Sequence, residues 1–299
     1  MVSKVILIIC GPTGSGKGEL ARELARCRDG EIVSADSRKI YKRLDIGTAK
    51  PAPQQRDEVS YHLLDVCGPR EVFTAARFVE LADRAIADIH RRGRRPLVVG
   101  GTGLYLRALL HGIADVPPRD EALRASLLDE ESSQPGALRR RLEEVDPQAA
   151  GQIPPGDLVR TVRALEVYQL TKKPISSHQD SHGFEPVRYP ARQIALDWDR
   201  QELYRRIDAR VERMIEAGWL EEVRGLIEDG LDRTPAFKTV GYPQLKEHLE
   251  GKSTLEQAVS EIQKEHRRYA RRQLTWFRAQ KEIEWIPAPP DVDSLIDSI

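Results

Sequence analysis

Apolar residues fall along the first hundred positions in short runs: VILIIC at 5–10, EIVSAD at 31–36, YHLLDV at 61–66 and PLVVGG at 96–101. Runs this short suit strands buried on both faces. Helix-period segments separate them at 17–27 and 74–92, the second with Phe78, Leu81, Ala85 and Ile89 on one face. The rhythm predicts a parallel sheet with crossover helices. From about 112 the pattern changes to charged helical segments divided by Pro-rich breaks at 116–118, at 153–155 and around Pro174. A strand-like run, RQIALDW at 192–198, then returns the chain to the sheet, after which 200–230 and 254–280 read as long helices. The expected architecture is α/β, a parallel sheet flanked by helices built from 1–111 and 191–299, with a helical insertion domain at 112–190.

Length and composition bound this picture. At 299 residues the chain is about twice a typical domain, which fits one large unit carrying a smaller one. Apolar residues are 40% and charged residues 31%, a globular balance. The 47 basic and 47 acidic residues cancel, so bulk charge gives no reason to expect a nucleic acid. Cys10, Cys27 and Cys67 lack CxxC spacing, which argues against a zinc site or disulfide framework and for a reducing, cytoplasmic setting. The amino-terminal apolar run has no cleavage site and meets a Gly-rich turn at once, so it reads as a buried strand. No apolar stretch reaches the roughly 18 residues needed to cross a bilayer, and a membrane role is not expected.

GPTGSGKG, residues 11–18, follows the first strand and opens a helix, the context that makes a phosphate loop credible. In the loop of Gly11, Pro12, Thr13, Gly14, Ser15, Gly16, Lys17 and Gly18 the glycines let backbone N–H groups approach phosphate oxygens, the helix start adds positive potential, and Lys17 neutralises a phosphate. The fold implied is P-loop NTPase-like. Position 18 departs from the pattern: Ser or Thr would ligate Mg²⁺ there, and the chain has Gly18. Phosphate cradling survives that loss.

The second strand ends in SADS, 34–37, which sets Asp36 at a carboxyl strand end, where open parallel sheets bind ligands. An Asp there can equally be a turn former. Near the carboxyl terminus Lys264, Arg268 and Arg272 recur every four residues, as do Arg267 and Arg271, with Tyr269, Trp276 and Phe277 between them. A basic aromatic helix suits RNA, although aromatics in the core and arginines in solvent would look the same.

Three further strings, VSADSRKIYKRLDIGTAKP at 33–51, GGTGLYLRALLHG at 100–112 and RRYARRQLTWFR at 267–278, join the phosphate loop in one order. Together they closely resemble the bacterial tRNA dimethylallyltransferase family over nearly the whole chain. The resemblance implies transfer of a dimethylallyl group from dimethylallyl pyrophosphate to the exocyclic amine of the adenosine 3′ of the anticodon, with Mg²⁺ as cofactor and a monomeric enzyme. Lys17 and Mg²⁺ would neutralise the leaving group and Asp36 would take the amine proton as general base. With Gly18 in place, the metal would rely on pyrophosphate, water and Ser15 or Asp36. Thr102 matches a position facing the target adenosine, a role compatible with a plain helix cap. Arg206 and Arg210 match pyrophosphate contacts. Ser37, Arg38, Lys39 and Ile40 match an anticodon-loop segment, and Lys238, Gly241 and Tyr242 a further tRNA segment. Arg124, Arg160 and Arg163 match contacts from the insertion, and Arg268, Arg271 and Arg272 those of the basic helix. The target base would leave the anticodon stem-loop and enter a channel from the side opposite the pyrophosphate.

Two other readings stay open on the residues alone. A phosphate-loop kinase for a small metabolite would use Asp65, after HLLDV, on the metal side. A non-catalytic RNA-binding module would keep the phosphate pocket only for docking. A free adenine nucleotide as acceptor is a closer enzymatic alternative.

Overall fold

The computed structural model describes residues 5–184 and 187–298, so the first four residues of the amino-terminal run lie outside the described residues. The chain divides into two compact units, residues 1–110 with 188–299, and residues 111–187.

The larger unit is built on β1 (Ile6–Cys10), α1 (Lys17–Cys27), β2 (Gly30–Ser34), α2 (Pro53–Glu58), β3 (Tyr61–His62), α3 (Ala75–Arg91), β4 (Arg95–Gly100) and α4 (Gly103–His111). After the insertion, whose helices α5 to α9 are described below, come β5 (Ala191–Asp197), α10 (Arg200–Glu216), α11 (Trp219–Glu228), a 3₁₀ turn at Ala236–Lys238, α12 (Tyr242–Leu249), α13 (Leu255–Arg278), β6 (Ile283–Pro287) and α14 (Val292–Ser298). The strands form one sheet in the order β3-β2-β4-β1-β5-β6, every neighbouring pair parallel.

Side chains alternate across the central strand, and each face meets helices. Ile6, Ile8 and Cys10 pack with Phe78, Ile86, Leu106 and Leu109. Leu7 and Ile9 pack with Leu20, Leu24 and Leu295 on the other side. Burial on both faces explains why β1 is apolar throughout. Four strands follow the sequence reading closely, but β3 keeps only Tyr61 and His62. Leu63 and Asp65 adopt φ of 63° and 56°, which no extended strand accommodates. In α3 the buried face is Phe78, Ala82, Ala85, Ile86 and Ile89, with Leu81 only partly covered.

The single helix read over 200–230 is two. Gly218 at φ 95° ends α10 and starts α11, turning Trp219 into a second core with Ile40, Leu44, Phe237, Tyr242 and Ile262. Trp219 and Tyr242 meet edge to face at 5.7 Å. This core fastens the segment after β2 to α10–α13, and so holds the two long helices beside the sheet's carboxyl edge.

The smaller unit consists of α5 (Glu121–Ser133), α6 (Ala137–Val145), α7 (Pro147–Gln152), α8 (Leu158–Thr171) and α9 (Ile175–His182) around Leu127, Leu138, Leu142, Val162 and Leu165. The Pro-rich breaks fall before α5, between α7 and α8, and at Pro174, the N-cap of α9. Glu166 on α8 is fully buried, accepting from the Asp120 amide at 2.8 Å, from Arg124 at 3.2 Å and from Arg163 at 2.5 Å. Removing this carboxylate would strand two guanidinium groups, so Glu166→Ala should destabilise this unit by about 3 kcal/mol. Amide exchange in α5 and α8 should accelerate accordingly, whereas Arg160→Ala, at an exposed pair with Asp157, should leave it unchanged. Unaltered protection in the Glu166 variant would show that the network adds nothing.

Candidate active site

The phosphate loop is shaped by its glycines and by what lies under it. Gly14 and Gly16 have φ of 81° and 87°, and a Cβ at Gly14 would stand 2.6 Å from Ile207 Cγ1. Side chains there are excluded by conformation and by contact. Three residues from distant elements hold the loop: Gln273 Oε1 accepts from the Thr13 amide at 2.8 Å, Trp198 Nε1 donates to the Ser15 carbonyl at 2.8 Å, and Arg206 Nε donates to the Gly14 carbonyl at 3.1 Å. Arg206 also lies over the Trp198 ring at 4.3 Å. Gln273 gives its amide nitrogen to the Gly101 carbonyl at 2.8 Å, tying the loop to the turn after β4. Gln273 lies within the 267–278 string and Trp198 ends the 192–198 run, but neither receives a role from the sequence alone. The readable signal for Gln273 is a polar residue on the buried stripe of α13, between Ala270 and Phe277.

The ends of β2 and β4 are sewn together in the same way. The Ala35 amide donates to the Val99 carbonyl at 2.8 Å, the Thr102 amide to the Ala35 carbonyl at 3.3 Å, and the Ser37 amide to Thr102 Oγ1 at 3.0 Å. The Thr102 hydroxyl therefore positions the 35–37 turn. Asp36 Oδ1 accepts from the amides of Arg38 at 2.8 Å and Lys39 at 3.4 Å. Asp36 is thus a turn former and a cavity residue at once, because it also lines the space above the loop.

That cavity, of about 890 Å³, brings together Thr13, Gly14, Gly16, Lys17 and Gly18 of the loop, Asp36 to Lys39, and Arg206 and Arg210 of α10. Lys238 and, from α13, His266, Tyr269, Arg272 and Gln273 also line it. Positive charge dominates. Burial pushes the Lys17 ammonium down to about 8, against the pull of Asp36 and helped by Lys39 and Arg210. Burial also lowers Lys39 and Arg210 from their ordinary values, again opposed by Asp36. Lys17 Nζ donates to the Pro12 carbonyl at 3.0 Å. Such crowding of desolvated cations around one carboxylate is the electrostatics of an anion site.

Several expected site residues are elsewhere. Ser15, named as a metal ligand, is fully buried beneath the loop and does not line the cavity, so its hydroxyl is not offered to a metal there. Gly11 and Pro12 are also buried, contributing backbone only. Ile40 and Tyr242, expected at the RNA, are core residues instead, and the Tyr242 hydroxyl donates to Glu222 at 2.7 Å. Gly241 backs onto the Trp219 ring, where a Cβ would stand 2.0 Å from Cη2. In the smaller unit Arg124 and Arg163 are spent on Glu166, Arg163 also donating to the Pro117 carbonyl at 2.7 Å, while Arg160 is exposed. On α13, Arg268 is exposed but paired with Glu265, Arg271 is exposed, and Arg272 lies over Tyr269 at 5.7 Å. Asp65, on which the kinase reading depends, has both oxygens taken, by Lys50 at 2.5 Å and Arg56 at 3.0 Å. A Cβ at Gly18 would meet nothing within 4 Å, so no neighbour demands glycine there.

A family model described as IPP transferase matches residues 39–280. The chain belongs to the IPP transferase family. Among this family, tRNA dimethylallyltransferase 1 of Pelobacter propionicus is 51% identical over 287 residues, covering 95% of this chain and 93% of that protein. The tRNA dimethylallyltransferase of Anaeromyxobacter dehalogenans strain 2CP-1 is 49% identical over 292 residues, covering 97% and 95%. The solved tRNA isopentenylpyrophosphate transferase of Bacillus halodurans superposes with a TM-score of 0.73 at 36% identity, covering 99% of this chain and 94% of that one. A eukaryotic dimethylallyltransferase solved acting on tRNA gives 0.83 at 29% identity, covering 97% and 75%. The IPP transferase fold is therefore the P-loop NTPase-like parallel sheet that the sequence led us to expect.

Since an anion binds the protonated form of Lys17, affinity for inorganic pyrophosphate should fall as the pH rises through about 8. Calorimetry just above that pH should show a proton taken up on binding, which Lys17→Met removes. Equal proton uptake in the two proteins would mean that Lys17 does not sense the anion.

Proposed function

We propose that this chain transfers a dimethylallyl group from dimethylallyl pyrophosphate to the exocyclic amine of the adenosine 3′ of the tRNA anticodon, acting as a monomer. The observation that carries the reading is the meeting of phosphate loop, cation cluster and Asp36 in one cavity, in a chain whose relatives are named for this reaction over nearly full length. Loop amides, Lys17 and Arg210 receive the pyrophosphate. The allylic carbon–oxygen bond breaks, its electron pair leaving on the pyrophosphate oxygen, while the adenine nitrogen lone pair forms the new carbon–nitrogen bond. The amine proton passes to Asp36, whose Oδ2 takes no hydrogen bond among the described residues. Thr102 is a positioning residue: it does not line the cavity itself, and its oxygen holds the Ser37 amide next to Asp36. Arg38 and Arg272, which line the cavity, receive RNA phosphates in this reading.

Mg²⁺ fits this site only as a partner of the substrate. The described residues contain no group of three or more His, Cys, Asp or Glu able to hold a metal, position 18 lacks a hydroxyl, and Ser15 is covered. Of the two side chains expected to reach the metal, only Asp36 opens into the cavity. Mg²⁺ would thus be held chiefly by pyrophosphate oxygens and water, a common arrangement for this ion. When bound it supplies further neutralisation of the leaving group.

Asp36→Asn is nearly isosteric but cannot accept the proton. With both substrates saturating, its single-turnover rate should drop roughly a hundredfold or more, while tRNA and pyrophosphate ester still bind. A rate near wild type would leave Asp36 as a turn former alone. Replacing Arg268, Arg271 and Arg272 by Ala should weaken tRNA binding and flatten its dependence on salt, since fewer counterions are released, without changing affinity for the pyrophosphate ester. An unaltered salt slope would assign that face of α13 to solvent.

A further inference from the structure

The buried face of α13 carries Ala258, Ile262, His266, Ala270, Gln273 and Phe277. Four are apolar and Gln273 is fully employed between the Thr13 amide and the Gly101 carbonyl. His266 is not accounted for. It is only 6% exposed, it lines the cavity, and neither ring nitrogen has a hydrogen-bond partner among the described residues. Arg210, facing it from α10, has a buried Nε that is likewise unpartnered. Orphaned polar atoms of this kind cost free energy that an aliphatic side chain would avoid, and three of them, on two residues lining one cavity, call for a hydrogen-bonding ligand.

Burial, with Arg210 adding to it, depresses the imidazole to about 3, so the ring is neutral in the free protein. A neutral ring offers one N–H without adding another cation to a wall already crowded with them. A guanidinium and an imidazole N–H lining the same cavity form a donor set suited to a phosphate oxygen. His266 lies seven residues from Gln273, about 10 Å along the helix, so this wall is displaced from the loop that Gln273 holds.

We propose that His266, beside Arg210, is a further donor to a phosphate oxyanion on this wall, an inference that rests on the prenyl-transfer reading for the identity of its ligands. The oxyanion comes either from the donor pyrophosphate or from an RNA phosphodiester beside the acceptor adenosine. Both present the same chemistry to the pair.

The test compares His266→Phe, which keeps bulk and removes both nitrogens, with His266→Gln, which restores a donor. Affinities are measured for inorganic pyrophosphate and, separately, for an anticodon stem-loop RNA at fixed salt. His266→Phe should weaken one of the two about tenfold, the scale of one charge-assisted hydrogen bond, and His266→Gln should recover most of it. Loss for pyrophosphate alone assigns the donor; loss for RNA alone assigns the phosphodiester. Unchanged affinity for both ligands in His266→Phe overturns the proposal. Should that variant not fold, nitrogen NMR of histidine-labelled wild type decides: the His266 resonances, identified by their absence in His266→Gln, must move on adding one of the ligands, and fixed resonances with both overturn the inference. Failure of the wild type to bind either ligand would instead overturn the prenyl-transfer reading itself.

Discussion

Lys17, Lys39 and Arg210 share one carboxylate, Asp36, at the carboxyl edge of a parallel sheet, and all three feel burial strongly enough to be pushed below their ordinary values. Like charges concentrated this way oppose folding unless the scaffold is firm. The firmness comes from bonds that reach across the sequence: Gln273 to Thr13 and Gly101, Trp198 to Ser15, Arg206 to Gly14, and Thr102 to Ser37. Each fixes backbone rather than a charged side chain. The cations are held apart by geometry, and an anion is the natural means of relieving their repulsion.

How far the sequence discloses this depends on the range of the interaction. The phosphate loop was legible because strand, glycines and helix are contiguous, and Asp36 because a short buried run ends next to it. The break at Gly218 was less legible, since an isolated glycine in a helical pattern is tolerated more often than not. The sixth strand, Ile283–Pro287, escaped because its residues mix charge, aromatic and proline and only its pairing with β5 makes it a strand. Cavity residues on α13 were half-legible. The basic spacing drew notice to the exposed arginines, while the two polar residues on the buried stripe, His266 and Gln273, carry the contacts or the orphaned atoms that bear on the site.

Arginines illustrate the same limit from the other side. A pattern cannot say which of them are free, because pairing is settled by residues far away in sequence. Arg124 is held by Glu166, 42 positions away, and Arg267 by Asp208, 59 positions away. Asp65 was the equivalent trap among the acids: its position after β3 suited a metal-side carboxylate, yet Lys50 and Arg56 occupy both of its oxygens. Such pairs consume charge that composition alone would count as available for a ligand.

Gly18 brings these strands of reasoning together. Its backbone is helical, a side chain there would meet nothing within 4 Å, and the neighbouring Gly14 shows what a sterically required glycine looks like in the same loop. Conformation and packing therefore leave position 18 open to a hydroxyl that the chain does without. In the proposed reaction the charge on the leaving pyrophosphate must be met by other means, and the cavity wall supplies them in Lys17, Lys39, Arg206 and Arg210. A fixed cation has an advantage over a metal ligand here: it is in place before the substrate arrives and needs no dehydration. Its cost is the desolvation that lowers both lysines and Arg210 and that Asp36 offsets in part, so in the proposed reaction the buried cations around Asp36 take up the charge that a metal held by a hydroxyl at position 18 would otherwise meet.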